Sequence, residues 1–251
     1  MKLSGPPDEA GPVPGPIRSA ADGRRVTPVW LNGLGGTTFQ IGEGPTRRFA
    51  KWAPSGSGLD LWAEAERCRW AARFAPVPQI LDFGEDARGA WLVTEGLPGD
   101  NAISPRWKAN PRPAVVGVGE GLRRLHEALP VFSCPFDWSA PTRLKQATAD
   151  GLPVAHLPPP PPVDRLVVCH GDACTPNTLL DLDGRSTGHV DLGALGVADR
   201  WADIAVATMS LDWNYGPGWQ DTFLQAYGVD ADHERTTYYR SLWNLDGNTS
   251  A

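Results

Sequence analysis

The sequence predicts an α+β fold of two lobes, a small β-rich N-terminal lobe and a larger, mainly helical C-terminal lobe. Short β-rich runs alternate with one helical pattern between Thr27 and Glu95. Several later patterns have helical spacing, and a chain of 251 residues can bury one large or two modest cores. We expect a disordered tail rich in proline and glycine at residues 1–16, the N-terminal lobe at residues 17–95 and the C-terminal lobe at residues 96–251.

The N-terminal lobe is predicted to be a sheet that carries one helix. Its elements, in chain order, are strands at Thr37–Ile41 and Arg47–Trp52, a helix at Asp60–Arg73 and a strand at Trp91–Glu95. The helix is predicted from a stripe of small and apolar residues at helical spacing. Gly96 and Pro98 break the last strand, and such a break is typical of a connection between lobes.

The C-terminal lobe is predicted to combine helices with one hairpin. Its elements are helices at residues 113–129, Asp199–Met209, Trp219–Tyr227 and Asp232–Leu242, a strand at Leu166–Cys169, and a hairpin of Thr178–Leu182 with Ser186–Leu192. Asp183-Gly184 supplies the turn of the hairpin. Residues 143–165 contain five consecutive prolines, Pro158 to Pro162, so we expect that segment to be extended.

Three polar side chains mark a candidate catalytic centre. Asp172 lies in the loop after the Leu166–Cys169 strand, and the predicted hairpin brings Asp191 back toward Asn177. An amide oxygen and a carboxylate are suitable ligands for Mg²⁺, while a second carboxylate can orient an attacking hydroxyl. The set is therefore typical of phosphoryl transfer. Each residue alone also has a structural explanation, because Asp and Asn often bond to the backbone of their own turn.

Two features of the N-terminal lobe indicate phosphate binding, and each has a structural alternative. A turn between the first strands is rich in small residues, namely Gly33, Gly35, Gly36 and Thr37. Glycines let a backbone approach a phosphate closely, although a simple hairpin turn has the same composition. Lys51 follows in an apolar strand, where an ammonium group needs an anionic partner unless it points to solvent from an edge strand.

Composition narrows the class of partner. The net charge of -6 argues against nucleic acid and favours a cationic small molecule. The four cysteines have neither the spacing of a metal site nor that of a disulfide framework, so we expect reduced thiols and a cytoplasmic protein. No apolar run reaches the roughly 18 residues that span a bilayer, so we expect no membrane segment. We expect a monomer or a weak dimer, without a stable protein partner.

Residues 165–208, which contain Asp172, Asn177 and Asp191, resemble the core of the aminoglycoside phosphotransferases. The segment most resembles the type that modifies the 3'-hydroxyl of kanamycin and neomycin, followed by the streptomycin-modifying enzymes. Further similar segments are Arg124-Leu125-His126, Cys134–Asp137, Trp213–Gly228 and the strand that ends near Lys51, so that the likeness covers about Thr27–Leu242. The resemblance implies a bilobal protein-kinase-like fold, ATP or GTP as donor, Mg²⁺ as cofactor and an aminoglycoside acceptor, with antibiotic resistance as the result.

The resemblance also implies roles for residues of the C-terminal lobe. Asp172 would be the catalytic base, and Asn177 and Asp191 would bind Mg²⁺. His170 would then brace the loop rather than act as a base. From their positions on predicted helices, we expect Arg200 and Asp203 to brace the catalytic loop, with an exposed ion pair at a helix end as the alternative, and His126 to be a packed structural histidine.

In the N-terminal lobe, the resemblance implies a nucleotide site. Lys51 and the glycine-rich turn would contact the phosphates of the nucleotide. Glu64 would pair with Lys51 and fix its direction, while Glu66 is the competing candidate. The backbone near Thr94 and Gly96 would bind the edge of the adenine.

The acceptor side departs from the family pattern. Residues 143–165 are shorter than the acid-rich helical segment of the family, and Ala194 stands where the family has an arginine. Trp243 and Asn244 stand where the family has an acidic pair. The candidates to replace those acids are Asp150, Asp246 and the terminal carboxylate.

Three functions therefore stay open from the sequence. The first is an aminoglycoside O-phosphotransferase, and the second is a kinase of another small hydroxylated metabolite on the same fold. The third is a nucleotide-binding module without turnover, which the complete set of chemical roles disfavours. Protein kinase activity is a weaker alternative, because Gly171 replaces the arginine of the His-Arg-Asp motif.

Overall fold

The structure, a computed structural model, describes Gly5, Pro7 and residues 11–245. The chain forms two compact units. Unit 1 comprises the described residues up to Ala72 together with Val77–Leu97, and unit 2 comprises Arg73–Pro76 together with the described residues from Pro98 onward. The main division between the units therefore falls after Leu97, slightly later than the predicted boundary after residue 95.

Unit 1 is built on a five-stranded antiparallel sheet. Its strands are β1 (Val26–Leu31), β2 (Thr37–Ile41), β3 (Arg48–Pro54), β4 (Ile80–Asp86) and β5 (Gly89–Glu95). They lie in the spatial order β1-β2-β3-β5-β4. The three strands predicted from the sequence are β2, β3 and β5, and β1 and β4 complete the sheet at its two edges.

Helices cover both faces of this sheet. Helix α1 (Gly15–Ala21) packs on a cluster that includes Phe39 and Ile41, and helix α2 (Leu61–Ala71) packs on one that includes Leu92. Successive residues of a strand point to opposite faces. Trp52 of β3 contacts the α1 cluster, so its neighbour Lys51 lies on the α2 face.

Unit 2 is mainly helical and contains two small sheets. Its helices are α3 (Pro105–Ala109), α4 (Pro111–Ala128), α5 (Ala140–Ala149), α6 (Trp201–Tyr215), α7 (Gln220–Tyr227) and α8 (His233–Leu245). Its strands are β6 (Asp100–Asn101), β7 (Leu166–Cys169), β8 (Thr178–Leu180), β9 (Ser186–His189) and β10 (Gly196–Asp199). They form a β6-β8-β9 sheet and an antiparallel β10-β7 pair. Among the described helices, none is long and apolar enough to cross a membrane.

Helix α4 positions the β8-β9 hairpin. Its apolar stripe is buried and includes Val115, Val118, Leu122 and Leu125. On another side of the helix, a Cβ atom added to Gly117 would lie 2.0 Å from the carbonyl oxygen of Gly184, in the hairpin turn. Only a residue without a side chain permits this close approach of helix and turn.

Two sequence predictions of irregular structure are wrong within the described residues. Helix α1 begins at Gly15, inside the predicted tail, because Pro16 occupies the first turn, where proline is favoured. Helix α5 covers the start of segment 143–165, and a short 3-10 turn follows at Val154–His156. The five prolines come after both elements, so they do not prevent the residues before them from forming a helix. The rest of the predicted tail, namely residues 1–4, 6 and 8–10, lies outside the described residues.

Candidate active site

The loop that carries Asp172 begins with a glycine whose conformation and close contacts disfavour any side chain. Gly171 follows β7 and His170, and its φ of +84° is in the left-handed region. A Cβ atom at this position would lie 2.1 Å from the carbonyl oxygen of Ala194. The arginine of a His-Arg-Asp motif therefore does not fit here. This observation agrees with the sequence analysis, in which protein kinase activity is the weaker alternative.

The β8-β9 hairpin brings Asp191 to Asn177, as the sequence predicts. Thr178 pairs with His189 at the open end of the hairpin, and the N–H of Val190 donates to the carbonyl of Asn177 over 3.0 Å. Asp191 is the next residue, and its φ of +67° is a left-handed conformation that Asp tolerates better than most side chains. The backbone thus fixes two oxygen-bearing side chains beside each other.

His170 joins the loop to the hairpin through both ring nitrogens. Its Nδ1 accepts from the N–H of Asp172 over 3.2 Å, and its Nε2 lies 2.9 Å from the carbonyl oxygen of Val190. Because a carbonyl can only accept, Nε2 carries the proton and Nδ1 does not. The ring is therefore neutral and held in one tautomer, which makes His170 a brace rather than a base.

Asp203 of α6 fixes the backbone before Asp172. Its two carboxylate oxygens accept from the N–H groups of His170 and Gly171. His126 of α4 donates from Nε2 to the same carboxylate over 2.9 Å, and its Nδ1 lies 2.8 Å from the hydroxyl of Tyr227. Burial opposes ionisation of Asp203, yet the hydrogen bonds from His126 and from the backbone N–H of His170 hold its pKa below the ordinary value. This buried network makes the loop rigid.

The thiol of Cys169 lies near the same network. His126, Cys169 and Asp203 offer ligand atoms within 4.8 Å of one another, a spacing that a metal ion could use. The carboxylate of Asp203, however, already accepts three hydrogen bonds, and burial raises the pKa of the Cys169 thiol well above its ordinary value. We therefore assign these residues to the brace of the loop.

We expect Asp203→Asn to lower the free energy of unfolding by about 3 kcal/mol, because the amide replaces one of the two accepting oxygens with a donor and so leaves at least one of the three buried donors without a partner. Urea denaturation of both proteins measures this loss. Asp212→Asn is the matched control, since Asp212 lies on the same helix but is only partly buried. An Asp203→Asn protein as stable as the control would contradict the bracing role.

The carboxylate of Asp172 is suited to a divalent cation nearby. Its Oδ1 atom is buried and has no hydrogen-bond partner among the described residues. Burial and the negative charge of Asp191 raise its pKa, while hydrogen bonds from Cys174 and Asn177 act in the opposite direction. Two carboxylates that repel each other around an unpartnered oxygen are stabilised by a bound cation.

Asn177 is oriented to offer an oxygen at this place. Its Nδ2 group donates to the backbone carbonyl of Asp172 over 3.0 Å. The Oδ1 atom of the amide therefore remains for a ligand. With the carboxylate of Asp191, it supplies the oxygen set that Mg²⁺ prefers.

Helix α6 contacts the other side of the loop in a way that the sequence did not reveal. Ser210 accepts from the N–H of Thr175 over 2.9 Å, and Asn214 donates to Ser210. Cys174 packs against Val206, Met209 and Trp243. A serine on a buried helix does not by itself predict a contact with this loop, because its hydrogen-bond partner is known only from the structure.

His189 is a buried neutral residue beside the brace. Its ring lies 5.8 Å from that of His170, and its Nε2 atom has no hydrogen-bond partner among the described residues. Burial is the main cause that lowers its pKa from 6.5 to about 3. The folded protein therefore keeps the ring neutral at a pH where the unfolded chain protonates it.

We expect this difference to appear as acid sensitivity. Stability is lost as the pH falls from 6.5 toward about 3, with a slope of at most about 1.4 kcal/mol per pH unit from this residue. His189→Phe should remove that share of the slope and keep most of the packing. Denaturation curves at several pH values for both proteins measure it, and an unchanged slope in the variant would show that His189 does not titrate on unfolding.

In unit 1, Lys51 has the partner that the family resemblance implies. Its Nζ atom lies 2.6 and 2.8 Å from the two carboxylate oxygens of Glu64 on α2. Glu64 is buried, whereas the competing candidate Glu66 is exposed. The ion pair with Glu64 therefore fixes the ammonium group of Lys51 on the α2 face of the sheet.

The glycine-rich turn is more closed than a phosphate site requires. The N–H groups of Leu34 and Gly35 donate to the side chain and the carbonyl of Asn32. A Cβ atom at Gly36 would lie 2.4 Å from the side chain of Leu59, so this glycine serves packing. These contacts favour the hairpin-turn alternative for the tip of the turn, and phosphate contact by Gly33, Gly35, Gly36 and Thr37 stays a prediction.

The connector after β5 is bonded differently from the expectation. The N–H of Gly96 donates to the carbonyl of Arg47 over 2.9 Å, so the sheet already uses this group. Thr94 is likewise paired within the sheet, opposite Phe49. The N–H of Leu97, by contrast, has no hydrogen-bond acceptor among the described residues. The nearest backbone N–H that the sheet does not use is therefore that of Leu97, and contact of Thr94 and Gly96 with a base stays a prediction.

Phe49 is a candidate site residue that the sequence reasoning missed. It lies two residues before Lys51 on β3, so both side chains point to the α2 face. An aromatic ring on the face that carries the cation can stack on a nucleobase whose phosphates reach Lys51. The sequence could have indicated Phe49, because residues two apart in a strand share a face and Phe49 lies two residues before Lys51.

Several other expected residues lie elsewhere. Arg200 pairs with Asp164 over 2.6 Å, so it braces the segment before β7 rather than the catalytic loop. Asp150 is exposed at the end of α5, where Gln146 donates to it, and Asp246 lies outside the described residues. Trp243 is buried on α8.

Known proteins are similar to this chain in sequence and in fold. A family model described as a phosphotransferase enzyme family matches residues 28–239. An aminoglycoside 3'-phosphotransferase of Streptomyces fradiae is 38% identical over 244 residues, which cover 83% of this chain and 90% of that protein. The chain belongs to the aminoglycoside phosphotransferase family. A streptomycin 3''-kinase of Streptomyces griseus is 33% identical, with 86% of this phosphotransferase and 94% of the kinase covered.

Solved structures agree with this membership. The aminoglycoside phosphotransferase APH(3'')-Id of Streptomyces rimosus, in complex with ADP and streptomycin, is 29% identical to this phosphotransferase, with a TM-score of 0.69. The match covers 90% of this chain and 95% of that one. The family thus accounts for the sheet-rich unit 1 and the helical unit 2, which form the predicted protein-kinase-like fold.

Proposed function

We propose that the protein is an ATP-dependent O-phosphotransferase that acts on a hydroxyl of an aminoglycoside antibiotic and thereby confers resistance. The proposal rests above all on the bond from Val190 to Asn177, which brings Asp191 beside Asn177 on the loop of Asp172. These three residues supply the chemical roles that phosphoryl transfer requires. The names of the relatives supply the class of acceptor.

In the proposed reaction, Asp172 accepts the proton of the acceptor hydroxyl and aims its oxygen at the γ-phosphate. The Oδ1 atom of Asn177 and the carboxylate of Asp191 would hold Mg²⁺, which neutralises phosphate charge when bound. His170 and Asp203 keep Asp172 in place through its backbone. Positioning and charge neutralisation then supply most of the rate enhancement.

Unit 1 would bind the nucleotide. Lys51, held by Glu64, contacts the phosphates, and Phe49 stacks on the base. Adenine offers an amino group and a ring nitrogen on one edge, which match a backbone acceptor and a backbone donor. The N–H of Leu97 is the donor, and the carbonyl of Glu95 is the acceptor.

The acceptor is a cationic sugar in this proposal, which suits the net charge of -6. The relatives are named for both the 3' and the 3'' position. The 3'-phosphotransferase of Streptomyces fradiae has the higher sequence identity, 38% against 33% for the 3''-kinase, which favours the 3'-hydroxyl. We also propose that the protein works in the cytoplasm, where ATP is available and the four free cysteines stay reduced.

A kinase of another small hydroxylated metabolite is the second candidate. Ala194 and the buried Trp243 stand where the resembled family has an arginine and an acid, so the acceptor surroundings carry different charges. Loss of a carboxylate weakens binding of an ammonium group.

The products of the reaction distinguish the candidates. The protein is incubated with Mg-ATP and, in separate samples, kanamycin, neomycin, streptomycin and choline, and the acceptors are analysed by mass spectrometry. We expect the mass of one phosphate on at least one aminoglycoside and none on choline. No phosphorylated aminoglycoside, or phosphorylated choline alone, would contradict the proposal.

A further inference from the structure

Arg47 holds the connector between β5 and unit 2 at two points. Its backbone carbonyl accepts from the N–H of Gly96 over 2.9 Å, and its Nη2 group donates to the carbonyl of Leu97 over 2.5 Å. Its Nη1 group also donates to the carbonyl of Gly44 over 3.3 Å. One residue therefore ties the turn before β3 to the connector.

The two bonds fix the peptide groups on either side of the candidate donor. In a trans peptide the N–H and the C=O point in opposite directions. The bond from Gly96 to Arg47 therefore aims the carbonyl of Glu95 away from β3, and the guanidinium fixes the peptide group that follows Leu97. Between these groups lies the N–H of Leu97.

The side chain of Arg47 also lies on the face of the proposed base. Arg47 precedes Phe49 by two residues, and its guanidinium carbon is 6.0 Å from the centre of the Phe49 ring. The backbone of Arg47 is already extended just before β3 begins, so its side chain lies on the same side as those of Phe49 and Lys51. A change at Arg47 thus acts at the base edge, whereas the phosphate contact at Lys51 is three pairs of residues away along the sheet.

We propose that Arg47 is a positioning residue that sets nucleotide affinity and base selectivity, by holding the carbonyl of Glu95 and the N–H of Leu97 in the arrangement that accepts from and donates to adenine. This inference rests on the proposed nucleotide role of unit 1. Guanine has an acceptor where adenine has a donor, and a donor where adenine has an acceptor. A connector held in this arrangement therefore selects ATP over GTP.

Fluorescent mant-ATP and mant-GTP titrations of the full chain test the inference. We expect the wild type to prefer mant-ATP, and Arg47→Ala to bind it about tenfold more weakly, the size of effect expected for one lost charge-assisted bond. Affinity for mant-GTP should stay nearly constant, so the preference collapses. Arg47→Lys should recover part of the affinity, because its ammonium can still donate to Leu97. In the transfer reaction the KM for ATP should rise while kcat stays constant.

Arg48→Ala is the matched control. Arg48 follows Arg47 as the first residue of β3 and points to the α1 face, so its removal should change neither affinity nor selectivity. Binding of mant-ATP by Arg47→Ala that equals the wild type would overturn the inference. Equal losses for mant-ATP and mant-GTP would also overturn it, because they indicate a purely structural role. If the wild type binds neither nucleotide, the proposed function itself fails; normal binding without transfer to an acceptor leaves this inference intact. If Arg47→Ala does not fold, the affinities of Arg47→Lys for mant-ATP and mant-GTP are compared with those of the wild type instead.

Discussion

Asp172→Asn should abolish phosphoryl transfer and leave nucleotide binding intact. The substitution keeps the size of the side chain and removes the carboxylate that, in the proposed reaction, accepts the proton of the acceptor hydroxyl. General base catalysis contributes about 10²–10⁴-fold to such reactions, and loss of the aligned oxygen adds a positioning defect. The rate should therefore fall at least about 100-fold. Nucleotide affinity should hold, because Lys51, Glu64 and Phe49 all belong to unit 1.

The measurement is a coupled assay of ADP release with saturating acceptor, together with a mant-ATP titration. Asp183→Asn is the control, since Asp183 is an exposed aspartate in the turn of the β8-β9 hairpin. Near-normal turnover of Asp172→Asn would refute the assignment. A loss of nucleotide binding with the loss of activity would show damage to the fold rather than to the chemistry.

Asp191→Asn should produce the second large loss, and this loss should depend on the metal concentration. Asparagine tolerates the left-handed backbone at this position, so the variant removes one charge without adding strain. Changes to residues that merely support metal ligands cost about 10–100-fold, so the loss of a ligand charge should cost more. The Mg²⁺ concentration that gives half-maximal rate should therefore rise, while kcat at saturating metal recovers in part.

Rates measured over a series of Mg²⁺ concentrations test this expectation. Asn177→Ala should shift the same curve in the same direction, because both side chains would serve one ion. A rate that falls equally at every metal concentration would contradict a ligand role for Asp191.

Local patterns in the sequence predicted most of this centre because its residues are close in the chain. Asn177 and Asp191 belong to one hairpin, and a hairpin fixes which residues lie opposite each other. The pairing of Lys51 with Glu64 was predicted through the family resemblance, and the contrast between the buried Glu64 and the exposed Glu66 agrees with it.

The residues that the sequence did not reveal depend on contacts between distant segments. Ser210 bonds to Thr175 and Arg47 bonds to Leu97, and no local pattern pairs them. Helix α5 was missed because the whole segment 143–165 was predicted to be extended, although its five prolines lie only after the helix. The sequence also could not show that the sheet uses the N–H of Gly96, because that depends on the register of β3 against β5.

The location of the divalent cation tests the central claim most directly. Crystals of the protein grown with Mn²⁺ and a non-hydrolysable ATP analogue give an anomalous signal at the metal. We expect that signal between the Oδ1 atom of Asn177 and the carboxylate of Asp191, on the side of Asp172. A fully occupied Mn²⁺ ion that touches neither Asn177 nor Asp191 would contradict the account.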